Sequence, residues 1–192
     1  MRLRFTINDE FKELDVNSNE PLSFTLRSFD ENITEYIACK NYNCGHCVVQ
    51  NRATDEIILS CLTPAFKIQG ADIITPDYFY TNKQSSYIRS SYRELGIFPC
   101  EECKKERTLL FHQIVSSLLK KIVNTRAQKD SFFFIHNEDE FDNSLNSSLS
   151  LVSQNKDYIL SYMSTLKCYC LRSNDILKIT EVALDKRRKA NV

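Results

Sequence analysis

The sequence predicts an α+β protein, with strands up to Pro76 and helices from there to residue 192. Before Pro76 the apolar residues alternate with polar ones in short runs. After it they recur at helical spacing, most clearly at Leu110, Phe111, Ile114, Val115, Leu118, Leu119 and Ile122. The third observation bears on chemistry: eight cysteines fall into two sets of four.

Leu3, Phe5 and Ile7 alternate with polar residues, as in a half-buried strand. Residues 8–10 read as a turn and 11–16 as the returning strand of a hairpin. Pro21 suits the first position of a helix carrying Leu22, Phe24 and Leu26. Val48 and Val49 begin one strand, residues 57–59 form another, and the polar residues 51–56 join them. Residues 68–75 supply one further short strand. Tyr87, Ile88, Ser91, Tyr92 and Leu95 share one helical face, with Gly96 as the C-cap. The striped helix of 110–122 follows. Residues 124–150 read as an irregular insertion, with an apolar run at 132–135, an acidic stretch at 137–142 and Asn/Ser-rich chain beyond. Tyr158, Ile159, Tyr162, Met163 and Leu166 predict a third helix of this half, and Ile176, Leu177, Ile179, Val182 and Ala183 a fourth. Lys186, Arg187, Arg188 and Lys189 suit the negative end of that last helix dipole.

Hydrophobic residues make up 42% of the chain and charged residues 26%, with zero net charge. That composition supports a buried core and gives no electrostatic reason to expect a nucleic-acid or anionic-membrane partner. No apolar run approaches a membrane span, and the N-terminus has no leader pattern, so a cytoplasmic location is expected. Thiols stay reduced there, and clustered cysteines read as metal ligands before disulfides. No serine–histidine–acid set, glycine-rich phosphate loop or paired-carboxylate motif emerges, so no catalytic residue is expected on this chain.

Cys39, Cys44 and Cys47 are separated by four and two residues, and Cys61 follows after thirteen. This is the plant-type spacing of a 2Fe-2S cluster held by four thiolates. With that quartet complete, His46 reads as a solvent-side loop residue. Cys100 and Cys103 precede the striped helix, and Cys168 and Cys170 lie between the last two helices. Two pairs at helix ends can converge at one end of a bundle. Four thiolates there suit a 2Fe-2S centre or a tetrahedral zinc ion, although a one-residue gap is less usual for zinc. His112 reads as a helix-surface residue.

The chain resembles the small iron–sulfur subunit, or iron–sulfur domain, of molybdenum hydroxylases such as xanthine dehydrogenase, aldehyde oxidoreductase and carbon monoxide dehydrogenase. The resemblance is carried by Cys39-x4-Cys44-Gly45-x-Cys47, by Ser60-Cys61-Leu62-Thr63-Pro64-Ala65, by Gly70-Ala71-Asp72-Ile73-Ile74-Thr75, and by Cys100-x2-Cys103 with Cys168-x-Cys170. It implies a β-grasp, plant-ferredoxin-like domain over 1–76 and a four-helix-bundle domain over 77–192, with an insertion at about 124–150. It further implies one 2Fe-2S cluster in each domain. Cys39, Cys44, Cys47 and Cys61 would hold the outer cluster, and Cys100, Cys103, Cys168 and Cys170 the inner one. Electrons would enter from a molybdenum–pterin centre on a large partner subunit and leave towards FAD on another subunit, or towards another acceptor, within a hetero-oligomer. The sequence departs from the family at the inner site. Pro99 stands where a glutamine would touch the pterin, Glu101 replaces a glycine, and Leu171-Arg172 replaces Thr-Gly. These departures motivate a second reading, a docking or structural iron–sulfur module with a modified inner site. A free ferredoxin-like carrier is a third, although zero net charge gives it no steering face.

Overall fold

The computed structural model describes residues 1–17, 19–29, 44–130 and 147–190. Strand β1 (Arg2–Ile7) buries Leu3, Phe5 and Ile7 and turns its other residues outward. A tight turn, with Asn8 and Asp9 at φ 51° and 68°, returns the chain as β2 (Glu10–Asp15), antiparallel to β1 with Phe5 opposite Lys12. After the short helix α1 (Leu22–Arg27) come β3 (Val48–Asn51), β4 (Glu56–Leu59) and β5 (Asp72–Ile74). The five strands form one mixed sheet in the order β2-β1-β5-β3-β4. The β1–β5 pair is parallel and the other pairs are antiparallel. Leu22 and Leu26 of α1 join Leu3, Phe5, Val49 and Ile73 in one buried cluster, and Cys47 and Cys61 belong to it.

The remaining α-helices among the described residues are α2 (Pro76–Thr81), α3 (Ser86–Leu95), α4 (Lys104–Asp130), α5 (Ser148–Gln154), α6 (Lys156–Met163) and α7 (Ser173–Ala190). Helix α2 starts where Thr75 Oγ1 accepts from the Tyr78 amide and Pro76 needs no partner for a missing N–H. Helix α3 ends on Gly96 at φ 64°, the left-handed cap its sequence predicts. Phe79, Tyr92, Leu110, Phe111, Ile114, Ile159, Met163, Ile179 and Ala183 meet in a second buried cluster. Gln50 on β3 reaches across to it, donating from Nε2 to Gln113 Oε1 at 2.7 Å, and Lys120 pairs with Asp55. The protein is thus α+β, with sheet and helices joined by a buried Gln50–Gln113 hydrogen bond and an exposed Lys120–Asp55 pair. Among the described residues no helix is long and apolar enough to cross a membrane.

Three expectations change. The irregular stretch is not 124–150: α4 continues through Asp130 and α5 begins at Ser148. The apolar stripe ends near residue 122, but no glycine or proline follows to stop the helix, so burial periodicity under-reads its length. Residues 131–146, with the apolar run, the acidic stretch and His136, lie outside the described residues. The basic C-terminal residues also do more than face a dipole: Lys186 pairs with Glu94 at 2.6 Å, Arg187 lies over the Tyr87 ring and Arg188 donates to Ser148 Oγ.

His112 is the third. It is half-buried against the Phe79 ring and hydrogen-bonded with the Tyr87 hydroxyl at 2.9 Å. Burial, reinforced by the Arg187 charge, lowers its pKa from 6.5 to about 4. The unfolded chain therefore takes up a proton below pH 6.5 that the folded chain refuses until about pH 4. Stability is expected to fall as pH falls through that window, by a total on the order of 3 kcal/mol. Urea midpoints measured between these limits should flatten in His112→Gln, and an equal slope in both proteins would refute the assignment.

Candidate metal centre

Cys100 and Cys103 sit on the turn that leads into α4, where the Cys103 amide donates to Cys100 O at 3.2 Å. Cys103 is 0% exposed and packs in the helical core. Cys168 and Cys170 lie on the link between α6 and α7, whose ends are pinned in that core by Leu166 and Leu171. The link carries Cys168 and Cys170 to the start of α4. Sγ separations are 3.3 Å for Cys100–Cys103, 3.6 Å for Cys100–Cys168 and 3.3 Å for Cys103–Cys170. All four sulfurs lie within 4.8 Å of one another. Burial, and then the neighbouring Cys170 and Cys100 sulfurs, push the Cys103 thiol well above its ordinary value.

The donor set fits a tetrathiolate metal centre. A metal–sulfur bond of about 2.3 Å places the sulfurs of a tetrahedral site about 3.8 Å apart, close to the spacings found. A single ion fits the quartet as it stands, and a two-iron core fits once the sulfur pairs move apart. Among the described residues this is the one place where three or more potential ligands converge.

The other set is placed in part. Cys47 and Cys61 are buried with their sulfurs 3.2 Å apart. Ser60 fixes the geometry: its amide and its Oγ both donate to Cys47 O, at 3.0 and 2.9 Å, tying the start of β3 to the end of β4. Cys44 is half-buried on the loop before β3. Cys39 lies outside the described residues.

The two cysteine segments touch. The Lys167 amide, next to Cys168, donates to Cys44 O at 3.0 Å. Gly45 lies flat on the same link at φ 80°, where a Cβ would overlap Thr165 O and stand 2.8 Å from Leu166 Cα. His46 is not on the solvent side: its side chain is 28% exposed and its Nδ1 lies 3.1 Å from Oε1 of Glu106, which is 1% exposed. The other Glu106 oxygen has no hydrogen-bond partner. His46→Ala is therefore expected to leave a buried carboxyl with a lost partner and to destabilise the protein by about 1–3 kcal/mol. In urea unfolding, Glu106→Gln combined with His46→Ala should recover part of that loss, and full additivity would count against the pairing.

Sequence reasoning missed Glu106 and Arg107. Arg107 is buried, and its guanidinium donates to Met163 O at 2.9 Å, Leu166 O at 3.5 Å and Cys168 O at 2.6 Å. One signal was available: the stripe traced backwards from Ile114 and Leu110 passes through positions 107 and 103.

No protein-family model matches the sequence, and no curated protein matches it. Solved structures do. A chain of quinoline 2-oxidoreductase from Pseudomonas putida 86 superposes with a TM-score of 0.56 at 20% identity, over 98% of this chain and 96% of that one. Aldehyde oxidoreductase from Desulfovibrio desulfuricans ATCC 27774 gives a TM-score of 0.62 at 14% identity. The Desulfovibrio gigas aldehyde oxidoreductase gives 0.59 at 14%. This chain shares its fold with all three. The likeness spans 98% of this chain but only 17% of each aldehyde oxidoreductase chain, so there it corresponds to a segment of a larger protein.

Proposed function

We propose that the chain is an electron-transfer subunit of a molybdenum hydroxylase-like oxidoreductase complex and holds two 2Fe-2S clusters. The observation that carries this reading is the convergence of Cys100, Cys103, Cys168 and Cys170 on a fold shared with oxidoreductase chains. Residues 1–76 would form a β-grasp, ferredoxin-like domain, a division supported by the parallel β1–β5 pair and by a buried cluster separate from the helical one. Residues 77–192 would form a helical-bundle domain around the second cluster of buried residues.

Within each centre the chain's own task is to supply thiolates and hold them still. Cys103 is fixed by the core, and Cys168 by Arg107 and the Lys167–Cys44 hydrogen bond. Cys47 and Cys61 are fixed by Ser60. Cys39 and Cys44 complete the outer set in this reading. A 2Fe-2S cluster supplies one-electron transfer when bound. Electrons would pass from a molybdenum–pterin partner subunit through the inner and then the outer centre to an FAD-binding subunit or another acceptor. The backbone contact between Cys44 and Lys167 keeps the two stations adjacent.

Zinc at the helical quartet is the second reading, favoured by sulfurs that all lie within 4.8 Å. Protein purified anaerobically should contain about four irons and four acid-labile sulfides per chain and show two paramagnetic signals on reduction. Zinc at the quartet, with about two irons in all, would replace the two-cluster reading by a one-cluster one.

A further inference from the structure

Arg107 is the largest fully buried side chain among the described residues, and none of its partners is a carboxylate. Its donors go to three main-chain oxygens of one short stretch, at Met163, Leu166 and Cys168. Neighbouring Glu106 is turned to His46 instead. A guanidinium taken out of water needs compensation, and carbonyl dipoles at the C-terminal end of α6 supply a part of it. The cysteine quartet adjoins the same stretch, and four thiolates holding a metal would bring negative charge beside it. Cys103 lies one helical turn before Arg107 on the same face, and the Cys168 carbonyl is bonded to the guanidinium directly. A metal centre held by four thiolates is anionic, and charge near such a centre sets its reduction potential.

We propose that Arg107 is a positioning residue with two effects on the inner centre. Its fork clamps the stretch 163–168 to the start of α4, which presents Cys168 and Cys170 to Cys100 and Cys103. Its fixed positive charge, kept from solvent, stabilises the reduced form of the centre. This rests on the electron-transfer reading above. One-electron reduction adds one negative charge to the centre, the electron comes from the reductant, and no bond forms or breaks. Removing the cation should therefore disfavour the reduced form, whereas a lysine should preserve the charge while losing the fork.

The test is a redox titration of the anaerobically purified full chain, with each centre followed by its own paramagnetic signal, for wild type, Arg107→Lys and Arg107→Met. In Arg107→Met the equilibrium constant for reduction of the inner centre is expected to fall at least tenfold, a downward shift of about 59 mV for one electron. Arg107→Lys should stay within about threefold of wild type, and the outer centre should be unmoved in both. An unchanged inner potential in Arg107→Met overturns the charge effect, and so does an equal fall in both variants. Should Arg107→Met fail to fold, Arg107→Gln carries the same comparison, because it keeps donors and drops the charge. Zinc in the wild-type quartet would refute the iron reading and leave the clamp to be judged separately. In that case Co2+ titration of the metal-free full chain should give at least tenfold weaker binding in Arg107→Met, and equal affinity would overturn the clamp.

Discussion

Gly45→Ala is expected to lift the loop at 44–47 off the link between α6 and α7 and to destabilise the protein by about 3 kcal/mol or more. Two effects add at this position. The backbone is left-handed at φ 80°, which side chains other than glycine adopt with strain, and the new Cβ would meet the main chain of Thr165 and Leu166. Main chain cannot swing aside as a side chain can, so one of the two segments has to move. Movement breaks the hydrogen bond from the Lys167 amide to Cys44 O, and Cys168 is the next residue. The disturbance should thus reach both cysteine sets and lower metal content at the helical quartet as well as the urea midpoint. Gly96→Ala is the control. Gly96 is left-handed at φ 64°, but a Cβ added there would meet nothing within 4 Å, so only the conformational strain applies, about 1 kcal/mol. Similar losses in the two variants would sink the steric argument.

What could be read from the sequence was whatever burial writes locally. A strand packed on one face repeats every second residue, and Leu3, Phe5 and Ile7 show it plainly. Helix α4 was visible for the same reason from Leu110 to Ile122, yet its extension to Asp130 was not, because propensity and the absence of a stop signal carry no apolar signature. The remaining misses share another cause. His46, Glu106, Arg107 and His112 are polar or charged, and such residues are expected outside unless a partner compensates them. Their partners come from segments 25 to 61 residues away, as in Tyr87 with His112 and Arg107 with Cys168, and no local pattern announces such a pairing. The meeting of Cys100 and Cys103 with Cys168 and Cys170 is equally non-local. It was legible because four thiolates at helix ends have few uses apart from a shared metal.

Within that quartet, Cys103→Ser and Cys170→Ser should separate folding from metal binding. Cys103 is fully buried among Leu109, Leu110 and their neighbours, with sulfurs on two sides at 3.3 Å. Cys170 is exposed. A serine hydroxyl has nearly the same shape as a thiol but is a poor ligand for a metal that prefers thiolate. Both variants should therefore lose the centre, and only Cys103→Ser also places a hydroxyl in the core. Metal that binds the folded chain alone stabilises it by mass action, by about 4 kcal/mol at a thousand times its dissociation constant. Three melting temperatures then follow in order. Metal-loaded wild type should melt highest, and chelated wild type should coincide with Cys170→Ser because both are intact folds lacking the centre. Cys103→Ser should melt lowest. Chelated and loaded wild type melting together, with Cys170→Ser unchanged, would remove the metal from this site altogether and leave four thiols that merely lie close.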